Sequence, residues 1–373
     1  MIVAAARVVT PTQVLAPGWV HVEGDRIADV GAGAPARPAD VDLPDATLVP
    51  GFVDVHVHGG GGASFDAGTP DDAAAATRAH LAHGTTTMVA SLVTATPERL
   101  LASVSGLAAA AEDGVVAGIH LEGPWLSPTR AGAHDPELPR DPDPALLEAL
   151  VEAGRGHVRM VTLAPELPGG LDAVRRLTAA GVVAAIGHTE ATYDEARAAL
   201  DAGARVGTHL FNAMRPLHHR EPGPIAALLE TPDAYVELIA DGVHVHPAAL
   251  RLAAEVKPGR IALVTDAMAA AAAADGDYRL GRMTVTVRDG VARLAEGGAI
   301  AGSTLTLAAA VRYAVQVAGL PLVDAVRAAT STPAALLGLD RVGSIATGHR
   351  ADLVVLDDHL DVQRVLHRGR WVT

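Results

Sequence analysis

The chain has 373 residues, a length that accommodates one domain of about 250 to 300 residues plus a smaller one. A formal net charge of -14 without any basic stripe excludes nucleic acid as the expected partner, and no apolar run approaches the roughly 20 residues of a membrane-spanning helix. The absence of cysteine removes disulfides, thiolate nucleophiles and thiolate ligands together, so a cytoplasmic address is the simplest expectation.

In chain order, Met1 to Val9 carries neither a charged leader nor a cleavage pattern and reads as a first strand. Residues 1–50 continue as short strands and turns, and 343–373 repeat that pattern through Ala351 to Leu356. Neither piece has enough core alone, so the two are expected to pair into one small β-sandwich domain. Between Val49 and Met268 eight apolar, β-type runs occur, near 49–57, 85–93, 115–121, 158–164, 182–187, 205–210, 235–240 and 261–265. Alanine-rich helical stretches separate them, near 70–83, 97–111, 143–153, 171–180, 192–202 and 247–256. Eight βα units with near-continuous apolar strands predict a parallel sheet closed into a TIM-like (β/α)8 barrel over 51–342. The alanine run 269–274 reads as a mobile or helical surface loop. A hairpin insertion follows near 278–298, with Asp289 and Gly290 as the turn between Met283 to Arg288 and Val291 to Leu294.

Metal-type side chains cluster at the ends of runs one, three, five, six and eight: His56 and His58, Glu122, His188, His209 and Asp266. Strand side chains alternate between faces, so His56 and His58 point the same way and can reach one ion. Imidazole and carboxylate donors suit a divalent metal, one or two ions per subunit, zinc first, with iron, manganese, nickel or cobalt also suited. Strand C-terminal ends are where such barrels keep their chemistry, and open coordination positions favour hydrolysis. Any one of these residues alone would more often be structural; the set argues for a site. His80, His83, His157, His349, His359 and His367 lack this context and are expected on the surface or on helix faces. His218 and His219 are assigned no role.

The order His-x-His, Glu, His, His, Asp on eight βα units resembles the amidohydrolase superfamily. Within it, the segments His120 to Leu126, Ile186 to Thr189, Thr208 to Met214, Arg220 to Gly223, Ala240 to His244 and Thr265 to Ala267 are similar to the N-acetylglucosamine-6-phosphate deacetylase family. The resemblance spans nearly the whole chain, and keeping both His56 and His58 resembles its two-metal members. Many two-metal superfamily relatives bridge their ions with a modified lysine at the end of strand four. This chain has a single lysine, Lys257, before run eight, so Glu122 is the natural bridging carboxylate.

Amide hydrolysis needs hydroxide at neutral pH, a stabilised oxyanion and a proton for the leaving amine. Asp266 is expected to take a proton from water and pass it to nitrogen. The resemblance implies that His134 polarises the acetyl carbonyl. It implies that Arg220 and His244 meet the phosphate or sugar hydroxyls, with Asn212 and Ala213 contributing from the loop after strand six. It also implies a sugar-phosphate substrate and a homodimer in which Arg220 crosses the interface. Hydrolysis of the galactosamine epimer and an inactive barrel used for binding are the rival readings; the second would have lost ligands or the acid, and this chain retains both.

Overall fold

The architecture follows from eight segments that are buried on both faces, as parallel strands covered by helices must be. In the computed structural model, which describes residues 1–372, they are β1 (Phe52–Val57), β2 (Thr85–Leu92), β3 (Ile119–Glu122), β4 (Val158–Leu163), β5 (Val183–Ile186), β6 (Val206–Gly207), β7 (Tyr235–Ile239) and β8 (Ile261–Val264). Each hydrogen-bonds in parallel with the next in sequence. The ring closes through few contacts: Val57 bridges Ala267, the Asp266 amide donates to the His56 carbonyl at 2.9 Å, and the Thr265 hydroxyl donates to Asp54 Oδ2 at 2.6 Å. One helix follows each strand: Pro70–Leu81, Pro97–Glu112, Pro144–Ala153, Gly170–Ala179, Tyr193–Asp201, Gly223–Glu230, Pro247–Val256 and Leu307–Gln316. Thr69, Thr96, Asp143 and Thr192 cap helix starts through their side chains, and proline opens several first turns where no amide partner is needed.

Two runs are shorter than the apolar pattern suggests. The third begins only at Ile119, because Val115 to Ala117 form the turn that leads into it. The sixth keeps its ladder only over Val206–Gly207, because the chain turns out of the sheet at His209, whose φ is +29°. Helix Gly223–Glu230 carries no strong sequence signal, since Pro222, Gly223 and Pro224 read as breakers although proline suits a first turn. Two further helices, Leu322–Ala328 and Ser331–Leu336, close the base of the barrel beside β1 and β8.

The terminal segments share one mixed sheet. Its order is Arg370–Trp371, Val362–His367, Leu353–Leu356, Val41–Pro50, Ile2–Val9, Gly18–Glu23 and Arg26–Ala32, with Val14–Leu15 beside Ile2–Val9. It encloses an apolar cluster of its own that includes Val3, Val20, Ile27, Leu48, Leu353 and Leu366. The chain passes from this sheet into β1 at Gly51, where a Cβ would lie 2.1 Å from Thr86 Oγ1. Beyond β8, Gly276–Leu280, Met283–Arg288 and Val291–Leu294 form a three-stranded antiparallel sheet whose last turn places Asp289 and Gly290 at φ +51° and +72°.

One expectation is corrected here, and one is narrowed to its helix-face alternative. The alanine run is not a mobile or helical surface loop at its start: Ala269 to Ala271 are buried, and their backbone accepts hydrogen bonds from Gly61 and Gly62. His80 is not a surface residue. It continues the inward stripe of Ala73 and Ala76, is fully buried, and its Nε2 donates to the Gly59 carbonyl at 2.8 Å. No helix among the described residues is long and apolar enough to cross a membrane.

Candidate metal centre

Three of the candidate residues sit where the backbone leaves its strand in a left-handed turn. His188, His209 and Asp266 have φ of +48°, +29° and +49°, a costly conformation for non-glycine residues that is typical of functional positions. The turn swings each side chain over the barrel mouth. Glu122 is the last residue of β3, and His56 and His58 lie on one face at the end of β1, as their spacing predicts.

The side chains converge closely. Glu122 Oε1 lies 3.1 Å from His188 Nε2 and 3.0 Å from His209 Nε2, and the two nitrogens are 3.0 Å apart. On the other side, Glu122 Oε2 is 3.2 Å from His58 Nε2, and His56 Nε2 and His58 Nε2 are 3.1 Å apart. Asp266 Oδ1 completes this second group at 3.2 Å from His58 and 3.4 Å from His56. A triangle of donors with sides near 3 Å lets an ion sit about 2.0–2.1 Å from each corner. Glu122 Oε1, His188 and His209 form one such triangle and His56, His58 and Asp266 a slightly wider one, with Glu122 Oε2 reaching the second through His58. All of these side chains are buried.

Hydrogen bonding behind the histidines supports the fit. His188 Nδ1 faces the Arg130 carbonyl at 2.7 Å and must donate there, which leaves Nε2 with its lone pair toward the cluster. His56 Nδ1 faces Glu237 Oε2 at 2.9 Å with the same consequence. Unprotonated imidazole nitrogens 3 Å apart repel, and a proton or a metal ion between them removes the conflict; the nitrogen and oxygen donors gathered here fit a divalent ion. His134 has the opposite tautomer. Its Nδ1 accepts the Thr94 amide at 3.2 Å, so the neutral ring carries its hydrogen on Nε2, 3.2 Å from Glu122 Oε2. That suits a hydrogen-bond donor, not a ligand.

The electrostatics follow from burial and mutual contact. Burial opposes charge on His58, but hydrogen bonds to Asp266 and Glu122 outweigh it and push the ring up to about 9. Burial likewise opposes charge on His56, and the carboxylates of Asp266, Glu122 and Glu237 lift it well above the ordinary imidazole range. Burial would raise Asp266 and Glu122, yet the surrounding histidines hold both below the usual carboxylate range. His134 is lowered by burial and stays neutral. Asp54, at the closure of β8 on β1, is raised by burial to about 7.

The cluster opens into a cleft of about 300 Å³. His134, Asn212, Ala213 and His244 line it, so the structure gathers these candidates beside the metal-type residues. His244 is held by Asp241, whose Oδ2 lies 2.6 Å from Nδ1. Burial opposes charge on the ring, but this pairing raises it above the usual imidazole value. Arg220 is not brought into this cleft. It is exposed on the loop after β6, with Nη1 2.7 Å from His219 Nε2. A larger groove of about 480 Å³ at the other end of β8, around Arg251, Lys257 and Arg327, contains none of the cluster.

Four residues escape the sequence reading. Glu237 and Asp54 hide inside apolar strands; an acid in the middle of Tyr235–Ile239 or Phe52–Val57 was the available signal. Leu280, from the inserted sheet, and Ile300, just beyond it and bridged to Arg293, line the cleft and carry no local signal at all.

The amidohydrolase family model matches residues 47–372. The chain belongs to the amidohydrolase family. Among curated proteins, this amidohydrolase is 41% identical to the N-acetylgalactosamine-6-phosphate deacetylase of Escherichia coli O157:H7, over 95% of both chains. It is 37% identical to the N-acetylglucosamine-6-phosphate deacetylase of Vibrio furnissii, over 94% of this chain and 86% of that one. Among solved structures it matches N-acetyl-D-glucosamine-6-phosphate deacetylase of Mycobacterium smegmatis, a mutant in complex with N-acetyl-D-glucosamine-6-phosphate. The identity is 55% and the TM-score 0.98, covering 100% of this chain and 99% of the other.

Proposed function

We propose that this chain is a metal-dependent deacetylase that hydrolyses N-acetylglucosamine 6-phosphate to glucosamine 6-phosphate and acetate. One observation carries the reading: a buried cluster of His56, His58, His188, His209, Glu122 and Asp266 lies at the barrel mouth of a chain similar over its full length to deacetylases of this substrate. Glu122, His188 and His209 would hold one ion, and His56, His58, Asp266 and the other oxygen of Glu122 a second. Zinc suits this nitrogen and oxygen set best. Bound metal supplies Lewis acidity and lowers the pKa of water toward ~7.

The chain's own groups then have defined tasks. Asp266 is ionised in the resting site and takes a proton from the attacking water at its carboxylate. His134 donates from Nε2 to the acetyl oxygen, and a neutral imidazole does this without a charge to lose. As the carbon–nitrogen bond breaks, Asp266 returns its proton to the amine nitrogen, so protons balance over one turnover. His244, whose charged form Asp241 favours, with Asn212 and the Ala213 backbone, would bind the sugar phosphate from the far side of the cleft.

We infer further that the active unit is a cytoplasmic homodimer. Arg220 lies outside its own cleft on an exposed loop with His218 and His219, which leaves it free to serve a neighbouring subunit's phosphate in such a dimer. A sugar phosphate is too charged to cross a bilayer unaided, which fits a cytoplasmic enzyme.

The test is acetate release from N-acetylglucosamine 6-phosphate, its galactosamine epimer and unphosphorylated N-acetylglucosamine. The proposal requires the highest kcat/KM for the first and a large loss without phosphate. Preference for the epimer would reassign the substrate, and no acetate from any of them would overturn the deacetylase reading.

A further inference from the structure

Glu237 lies in the middle of β7, is fully buried, and is used by none of the steps above. Its Oε2 faces two partners at once. It accepts from His56 Nδ1 at 2.9 Å and from the His209 backbone amide at 3.1 Å, so it touches both halves of the metal-type cluster from behind. Oε1 has no hydrogen-bond partner, and no arginine or lysine pairs with this carboxylate among the described residues. An ionised carboxylate without a compensating cation is expensive to bury. The cation that can reach it is one on His56, either a proton or a metal ion held through Nε2.

The two halves of the cluster differ in this respect. Behind His188 stands a neutral acceptor, the Arg130 carbonyl at 2.7 Å. Behind His56 stands the carboxyl group of Glu237 at 2.9 Å. A carboxylate accepting from the far nitrogen of a ligating histidine fixes its tautomer and raises its basicity toward metal, and loss of such a partner typically weakens binding 10- to 100-fold. The geometry points to Glu237 as the positioning residue that makes the His56/His58 half of the cluster a metal site in its own right. It acts through charge and tautomer and not only through shape. The inference rests on the metal reading above and goes beyond it, because it assigns the second ion's retention to a residue outside the ligand set.

Glu237→Gln separates charge from shape, since the amide oxygen can still accept from His56 and from the His209 amide. Zinc stoichiometry and affinity are read by competition with a chromophoric chelator on the purified full chain, beside thermal unfolding of the metal-free protein. Wild type is expected to hold two zinc ions. Glu237→Gln should retain one at unchanged affinity and bind the other about 10- to 100-fold more weakly. Adding His56→Ala to Glu237→Gln should weaken it little further than His56→Ala alone, because both act on one ion. Wild-type affinity for both ions in Glu237→Gln would overturn the inference, as would equal weakening of both, which marks a merely structural role. A folded Glu237→Asp variant that rebinds the second ion more tightly than Gln supports the charge argument if Gln lowers the melting temperature. Failure of wild type to hold any zinc would instead sink the metal reading, and a wild type with one ion would leave Glu237 nothing to serve and overturn this inference alone.

Discussion

Glu122 presents one oxygen to His188 and His209 and the other to His58, so a single side chain ties the two halves of the site together. His188→Ala removes a corner of the first triangle and should lower metal content, as elemental analysis would read; full retention would contradict the assignment. Asp266→Asn keeps size and tolerates the left-handed backbone, since asparagine adopts positive φ more readily than most residues. It removes basicity, so kcat should fall ~10²- to 10⁴-fold even with metal supplied to saturation. The pH behaviour follows from His58. In the metal-free site its raised pKa, about 9, keeps it protonated at pH 7.5, whereas an ion needs the neutral nitrogen. Metal capture at pH 7.5 must therefore expel protons, and affinity should climb with pH until about 9. Calorimetric titration in two buffers of different ionisation enthalpy checks this: the apparent heats should differ, and equal heats would contradict it. The sequence made these residues legible because histidine and acid at strand ends are uncommon together. Glu237 stayed hidden because a strand written Tyr-Val-Glu-Leu-Ile looks apolar until the acid's partner, His56, is seen across the barrel.

At the scale of elements, helix positions were readable almost to the residue where a capping side chain and a first-turn proline coincide, as at Thr69 with Pro70 and Thr96 with Pro97. Strand ends were less readable, because what stops β6 after Gly207 is the left-handed turn at His209, imposed by the site and not by local propensity. The closure of β8 on β1 depends on few bonds, and Gly51 at the entrance to β1 has no space for a side chain. A methyl group there would meet Thr86 Oγ1 and Cγ2 and the Asp352 Cβ within 2.9 Å. Gly51→Ala should therefore cost about 1–3 kcal/mol, read as a lower urea midpoint with unchanged slope. Wild-type stability would show that this junction relaxes freely. The inserted sheet contributes Leu280 to the cleft and the segment after it Ile300, a role that only long-range packing reveals.

For the whole molecule, a protein of charge -14 must attract a sugar phosphate with local groups, and its own cleft offers His244 and Arg130 but not Arg220. If Arg220 serves a partner's cleft, Arg220→Ala should raise KM by roughly 1.5 to 3 kcal/mol of lost charge-assisted contact, with kcat little changed. Mixed dimers of Arg220→Ala and Asp266→Asn subunits should recover a wild-type-like KM in one site of two; no recovery, with exchange confirmed, would mean that Arg220 does not cross. Under the proposed function, hydrolysis depends on metal held at the Glu122 cluster. The most direct measurement is acetate release from N-acetylglucosamine 6-phosphate by protein stripped with a chelator and then titrated with zinc. Turnover should vanish on stripping and return in step with bound zinc, whereas full activity in metal-free protein would contradict the mechanism at its root.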